Sequence, residues 1–280
     1  MTQTEAATDK RSVDQKLSDL REILLGLGSV AVALSGGVDS TLLAKVAHDS
    51  LGDKMVAMTA QTHTTPHQDV LATQEFCRAE GIEQVLLHYD ELEIPGFADN
   101  PTNRCYLCKK ELFSRMGDAC RERGIEHLAE GSNLDDEGDY RPGLQAVAEV
   151  HAASPLRQAG LHKQDIRDIS HMLGLKTWDK PAAACLSSRF PYWHKITVEK
   201  LEAIDHAEDF LRDLGFGQCR VRVHENVARI EVEAGEVARL ASPEIRGRVS
   251  ERLHELGFTY VTVDLDGFKS GSMNAVLKDK

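Results

Sequence analysis

The sequence predicts an α/β fold: a doubly wound parallel sheet followed by a small C-terminal α+β domain. Three observations predict it. The apolar run Val30–Leu34 opens through Ser35-Gly36-Gly37-Val38-Asp39-Ser40 into an amphipathic stretch that places Leu42, Leu43 and Val46 on one helical face. Strand-like and helix-like runs then alternate to about residue 180, the pattern of a parallel sheet covered on both faces. From Thr197 the order changes to helix, strand, strand, helix, strand, an open-faced α+β arrangement.

These changes divide the chain. Residues 1–12 are polar and expected to be disordered, 13–180 form the main domain, 181–196 form a connecting segment with a cysteine, and 197–280 form a small substrate or oligomerisation domain.

The first helix is expected near Val13, where Leu17, Leu20, Ile23, Leu24 and Leu27 recur at helical spacing. Gly26-Leu27-Gly28-Ser29-Val30-Ala31 fits a loose dinucleotide-binding pattern. It precedes a strand instead of following one and is set aside. At the end of Val30–Leu34, Gly36 and Gly37 permit backbone angles and a close approach that let successive N–H groups converge on an anion. The helix that starts there adds its partial positive charge. A Walker loop places a Lys after its last glycine, whereas Val38-Asp39 stands here.

Strands at Met55–Ala60 and Gln84–His88 flank a helix from about Pro66 to Glu80. Ligands in such sheets sit beyond the carboxyl ends of the strands, which puts Gln61-Thr62-His63 and Tyr89-Asp90 on the same rim as the glycine loop. Asn103-Arg104-Cys105-Tyr106-Leu107-Cys108-Lys109-Lys110 leads into a helix to about Arg123, then a short strand His127–Glu130. The loop 131–143 follows, with four acids, a Tyr and an Arg among its residues. A polar helix, His162 to Leu173, precedes Lys180–Tyr192, where two prolines leave Cys185 and Arg189 on an irregular segment of the kind that carries chemistry on a rigid scaffold.

In the C-terminal region, strands at Cys219–His224 and Val227–Glu233 turn at Glu225-Asn226, and a helix of about Val237–Leu256 leads to a strand at Phe258–Val263. Arg220, Arg222 and Arg229 concentrate positive charge in this hairpin. Asp264-Leu265-Asp266-Gly267 lacks the third loop acid and terminal Glu of a calcium-binding EF-hand.

A chain of 280 residues with 41% hydrophobic content can bury a sizeable core. No apolar run approaches the roughly 18 residues of a membrane helix, and Met1–Arg11 has no apolar signal region, so a cytoplasmic protein without a membrane partner is expected. The net charge of −12 argues against a protein that grips nucleic-acid phosphates and suits a small anionic substrate. Six cysteines are too few for a disulfide scaffold. Cys77 and Cys120 lie in helical patterns and Cys219 alternates with Val221 and Val223, as packing residues do, leaving Cys105, Cys108 and Cys185 for chemistry.

The SGGVDS string resembles the PP-loop of the ATP pyrophosphatase superfamily, which splits ATP into AMP and pyrophosphate to activate a substrate by adenylation. Beside it stand a Cys-x-x-Cys followed by Lys109, and Cys185 four residues before Arg189. Together they suit sulfur transfer, in which a sulfur nucleophile displaces AMP from an adenylated carbon. Over most of its length the chain resembles the ATP-dependent sacrificial sulfur transferases of the LarE family, at SGGVDS, NRCYLCKKELF, EGSNLDDEGDYRPG, SPLRQAGLHK, KPAAACLSSRFPY and GFKSGSMN.

That resemblance implies an adenine nucleotide α-hydrolase-like fold, and adenylation then thiolation of the carboxylates of a pyridinium biscarboxylate mononucleotide for the nickel-pincer nucleotide cofactor. It implies ATP, magnesium and a homo-oligomer. By residue, it implies that Ser35, Gly36, Gly37, Val38, Ser40 and Thr41, with Asn133, take the nucleotide, and that Lys109 meets phosphate or pyrophosphate. Asp39, beside its part in catalysis, and Glu231 are implied metal groups, Cys185 the sulfur donor, Ser188 and Arg189 the substrate-site lining, and Arg220 and Arg222 the substrate-phosphate ligands. In the simplest family mechanism the donor cysteine ends as dehydroalanine, one sulfur per chain.

Cys105, Cys108 and Cys185 also resemble the three-cysteine set that holds a [4Fe–4S] cluster in some members and in PP-loop tRNA thiolases, leaving one iron open for a sulfide donor. Buried thiols and a zinc site are the alternatives at Cys105 and Cys108, because C-x-x-C spacing alone does not select iron. A tRNA thiolase and a non-catalytic adenine-nucleotide sensor are the competing functions.

Overall fold

The computed structural model describes residues 11–136, 142–181 and 184–277, with the side chains at 142–144 and 275 left aside. Most of the expected N-terminal segment, residues 137–141 of the acidic loop, and Ala182 and Ala183 lie outside the described residues.

Ten helices and seven strands follow one another among the described residues. Helix α1 spans Val13–Leu27, strand β1 Val30–Ala33 and helix α2 Val38–Leu51. Strand β2 is Met55–Gln61, helix α3 His67–Glu80, strand β3 Gln84–His88, helix α4 Arg104–Arg123 and strand β4 His127–Ala129. Helices α5, α6 and α7 are Pro142–Glu149, Pro155–Gln158 and Lys163–Met172. The C-terminal part runs α8 Val198–Asp213, β5 Cys219–His224, β6 Val227–Val232, α9 Val237–Leu240, α10 Pro243–Glu255 and β7 Tyr260–Val263.

The first sheet has the order β3-β2-β1-β4, with β1 parallel to both β2 and β4. The central strand is buried at Val30, Ala31 and Val32, as a strand covered on both faces must be. Helix α1 starts with a reciprocal cap: the Gln15 N–H donates to Ser12 Oγ and the Ser12 N–H to Gln15 Oε1. Leu17, Leu20 and Leu24 then reach the core shared with Val30, Val32 and the α2 residues Leu42, Leu43 and Val46. Cys77 and Cys120 are buried, and burial pushes the Cys77 thiol up to about 11, as expected of packing residues.

The second sheet has the order β5-β6-β7, β5 antiparallel to β6 and β6 parallel to β7. Cys219, Val221 and Val223 pack with Leu201, Ile204 and Leu211 of α8. The opposite face of β5 is buried as well, which takes Arg220 and Arg222 out of water.

The chain forms two compact units that are discontinuous in sequence. The first holds residues 1–60, 69–87 and 109–182; the second holds 61–68, 88–108 and 183–280. A division near residue 180 does not anticipate that the segments following β2 and β3, including Thr62, His63, Tyr89 and Asp90, group with the C-terminal unit.

Several elements differ from expectation. The loop after β4 contains a short 3-10 turn, Leu134–Asp136, and its Pro142-Gly143 end already belongs to α5. Helix α7 is not polar throughout, because Ile166 and Ile169 form a narrow, fully buried stripe. The expected single helix from Val237 is two, since Pro243 starts a new helix at its first turn behind Ser242.

Gly267 lies at φ 71°, and a Cβ there meets the Val232 carbonyl oxygen at 2.7 Å and the Ala234 Cα at 2.9 Å. Gly267→Ala should therefore destabilise the protein by about 2 kcal/mol or more. Gly217→Ala, whose methyl meets open space, should stay within about 0.5 kcal/mol. Denaturant unfolding of the two variants checks the contrast.

Candidate active site

In the first unit the SGGVDS loop joins the end of β1 to α2. The Leu34 N–H donates to the Met58 carbonyl (2.8 Å) and Thr59 Oγ1 donates to the Leu34 carbonyl (2.9 Å), fixing the strand exit. The Ser35 N–H donates to Ser40 Oγ (3.2 Å), and the two hydroxyls lie 3.1 Å apart, which closes the loop on itself. Gly36 has φ 74°, and a Cβ there meets Thr73 Cγ2 at 3.2 Å. Gly37 is the N-cap of α2 with no side-chain cap bond, so the helix start is left open to an anionic group. Val38 and Thr41 are buried in the core, leaving their backbone as the part that can meet a nucleotide.

Asp39 is already engaged. Its Oδ1 accepts from Asn133 Nδ2 (3.2 Å) and its Oδ2 from Lys163 Nζ (2.5 Å). Asn133 is buried and pinned by the Asp135 N–H, while Asp135 accepts from the Lys163 N–H and bonds His162. The Lys163 N–H first, then the His162 hydrogen bond, hold the Asp135 carboxyl below its usual range. Gly131 passes so close that a Cβ meets the Ser40 nitrogen at 3.1 Å. On the other side of the loop, Lys180 Nζ donates to the Gly36 carbonyl (2.8 Å) and to Asp69 Oδ1 (2.9 Å). Lys163 and Lys180 thus supply the positive charge that the motif lacks next to its glycines. They lie 124 and 144 residues from their loop partners, which is why spacing could not find them.

The second unit holds Cys105, Cys108 and Cys185. Cys105 is exposed and Cys108 half-buried in the first turns of α4, whereas Cys185 is exposed just ahead of a 3-10 turn at Leu186–Arg189. Burial, then the charges of Cys185, Glu91 and Cys105, push the Cys108 thiol far above its ordinary range. Lys109 follows Cys108 on α4, half-buried, and groups with the first unit.

Arg189 is 1% exposed. Its Nε and Nη2 donate to the two oxygens of Glu208 (2.9 and 2.8 Å), and its Nη1 donates to the Ala184 and Cys185 carbonyls and to Ser188 Oγ. It therefore braces the cysteine segment from within. Burial acts to raise the Glu208 carboxyl, but hydrogen bonds from Arg189, its charge and the Val221 N–H outweigh it and hold the group below its usual range.

Arg222 donates to Glu231 Oε2 (3.0 and 2.8 Å) and to the Ser188 carbonyl (3.1 Å). Arg229 takes Glu231 Oε1 at 3.0 Å. Glu231, fully buried between two guanidiniums, does not fit a magnesium ligand, whereas Asp39 keeps its side chain partly exposed at the start of α2. Arg220 is pushed down to about 10 by burial, then by the charges of Arg189 and Arg222. An anion placed beside Arg220 relieves that stress.

Among the described residues no three His, Cys, Asp or Glu side chains converge as a metal-ligand group. Cys105, Cys108 and Cys185 lie near enough for the charges of the other two to act on Cys108, but as placed here they do not form such a group. No helix among the described residues is long and apolar enough to cross a membrane.

A parallel sheet whose central strand delivers a lysine-flanked SGGVDS loop to a helix start defines an ATP-pyrophosphatase-type, PP-loop protein, and the NAD synthase family matches residues 16–100. Along nearly the whole chain, 37% of 278 residues are identical to the pyridinium-3,5-bisthiocarboxylic acid mononucleotide synthase of Lactiplantibacillus plantarum, covering 97% of this chain and 95% of that one. The protein belongs to that family, the LarE family. An uncharacterized protein of Synechocystis sp. is 42% identical over 265 residues, 95% of this chain and 99% of its own. A subunit of the glutamine-hydrolysing GMP synthase of Pyrococcus abyssi is 26% identical over 182 residues, 59% of this chain and 57% of its own.

Glu208→Gln should destabilise the protein by about 3–5 kcal/mol at pH 7, because it leaves Arg189 buried without its counter-charge. A carboxylate held below its ordinary 4.5 contributes fully above that pH and loses its contribution as the pH falls below it. The gap between wild type and variant in denaturant unfolding should therefore narrow from pH 7 to pH 4.

Proposed function

We propose that the protein is an ATP-dependent sulfur transferase that converts the carboxylates of pyridinium-3,5-biscarboxylic acid mononucleotide to thiocarboxylates, for the nickel-pincer nucleotide cofactor. The reading is carried by Cys185, an exposed sulfur on a segment whose neighbours Leu186, Ser187, Arg189 and Phe190 are all buried. A reactive atom presented by a rigid support suits a group that must meet one carbon.

The substrate carboxylate attacks the α-phosphorus of ATP, forming an acyl-adenylate and releasing pyrophosphate. The loop residues Ser35, Gly36, Gly37 and Ser40, with backbone N–H groups at the start of α2, hold the phosphates, and Lys163 and Lys180 balance their charge, with Lys109 a further phosphate contact. Asp39 is the residue that would hold magnesium, which when bound would neutralise phosphate charge. The Cys185 thiolate then attacks the acyl carbon and expels AMP, giving a thioester. Loss of the Cys185 Cα proton to a base breaks the Cβ–S bond: the thiocarboxylate leaves with the sulfur and dehydroalanine remains. Arg220, buried and beside two other guanidiniums, takes the substrate phosphate, with Arg222 and Ser188 shaping the same surface.

In this reading Cys185 alone supplies the sulfur. Iron content and a visible spectrum after anaerobic reconstitution with sulfide test the three-cysteine [4Fe–4S] alternative, in which a sulfide donor reloads the site. A cytoplasmic location, where thiols stay reduced, and a homo-oligomer complete the reading. A tRNA thiolase is disfavoured by the net charge of −12.

Intact-protein mass spectrometry after incubation with ATP, magnesium and substrate should show the loss of one H₂S, mapped to Cys185, and Cys185→Ala should form no thiocarboxylate. An unchanged chain after several turnovers overturns the sacrificial route. Thiocarboxylate formed at the wild-type rate by Cys185→Ala overturns Cys185 as the donor.

A further inference from the structure

The segment from Ala184 to Trp193 has little regular structure, yet its backbone is bonded almost residue by residue. The Leu186 N–H donates to the Thr64 carbonyl (2.8 Å). Arg189 and Arg222 take the carbonyls of Ala184, Cys185 and Ser188. The remainder of the segment depends on two residues from a distant part of the chain, Asn100 and Arg104.

Asn100 is fully buried, with φ 54°, in the left-handed region that Asn tolerates better than other side chains bearing a Cβ. Its Nδ2 donates to the carbonyls of Pro191 (2.6 Å) and Phe190 (3.3 Å), and its own carbonyl accepts from the Trp193 N–H (2.9 Å). Its Oδ1 accepts from Arg104 Nη1. Arg104, 6% exposed, donates from the same nitrogen to the Ser187 carbonyl (3.1 Å). Arg104 is also the first residue of α4, with Cys105 next in the chain. One hydrogen-bonded group therefore joins the start of the Cys-x-x-Cys helix to residues 187–193, immediately after Cys185.

We propose that Asn100 and Arg104 are positioning residues for sulfur transfer: they fix the Cys185 segment against the start of α4 and so set where the Cys185 sulfur stands. The inference rests on the reading of Cys185 as sulfur donor. Neither residue touches substrate; both act through the carbonyls of the segment. Glycine could adopt the backbone angle of Asn100, but only the amide side chain supplies donors to two carbonyls and an acceptor to a guanidinium. The buried Phe190 carbonyl takes its partner from that amide, and the Pro191 carbonyl, which also accepts from the His194 N–H (3.1 Å), takes a second donor from it.

Asn100→Gly separates the two contributions, since it keeps the left-handed backbone and removes the side chain. The measurement is thiocarboxylate formed per pyrophosphate released in a single turnover, together with the rate at which iodoacetamide alkylates Cys185 in the protein without ATP or substrate. The ratio should fall about a hundredfold, the scale of an ångström-level misplacement, and the Cys185 alkylation rate should change severalfold. A purely structural role lowers both reactions together and leaves the ratio unchanged. Arg104→Lys, which keeps the charge but loses the planar fork, carries the same measurement should Asn100→Gly fold poorly. A folded variant with wild-type ratio and alkylation rate overturns the inference alone. A wild type that forms no thiocarboxylate overturns the proposed function, and this inference with it.

Discussion

The second unit depends on the carboxylate of Glu208. It is fully buried in α8 and accepts from both arms of Arg189, from Arg212 and from the Val221 N–H of β5. Burying such a pair costs several kcal/mol of hydration per ion, which its attraction recovers only with close geometry and every lone pair used. The return is placement. Because Glu208 holds two of the three guanidinium nitrogens of Arg189, the third is directed at the carbonyls of Ala184 and Cys185. The position of an exposed thiol thus traces back to an acid in a helix interior, and an apolar pair of equal volume could not transmit it.

Charge is distributed in the same economical way elsewhere. The chain carries −12 overall, yet cations gather at two places. Lys163 and Lys180 bracket the glycine loop, each anchored to an acid, Asp39 and Asp69, while Arg220 sits beside two other guanidiniums. Local positive charge inside an acidic surface attracts a small anionic substrate without the broad basic face that nucleic acids require.

Much of the architecture is legible in the sequence because period and turn chemistry agree with the fold. Strands β1 to β3 follow short, mostly apolar runs, and α1, α3 and α8 follow 3.6-residue stripes. Helices α5 and α6 are short and each opens on a proline, which reads as a break, and Pro243 reads as interior although it opens a helix. The glycine loop is legible because six consecutive residues carry it. Lys163, Lys180, Glu208 and Asn100 are not, since each acquires its role from partners far away in sequence. Arg189, Arg222 and Glu231 are visible as charges, but only packing shows that they bond chiefly to buried charged partners and backbone carbonyls.

The interleaving of the two units bears on how the chain comes to be folded. Segments 61–68 and 88–108 leave the parallel sheet early, yet the unit they complete also needs residues from 183 onward. As the chain emerges, the start of α4 and the turn after β2 must wait for partners such as Leu186, Ser187 and Pro191. Closing loops of that length costs little additional free energy but delays the contacts that repay it. The thiol-presenting half is thus complete only once the last residues have emerged, and a contiguous fragment that contains it whole must run from residue 61 to residue 280. Fragment exchange or domain grafting between relatives must carry all three segments together.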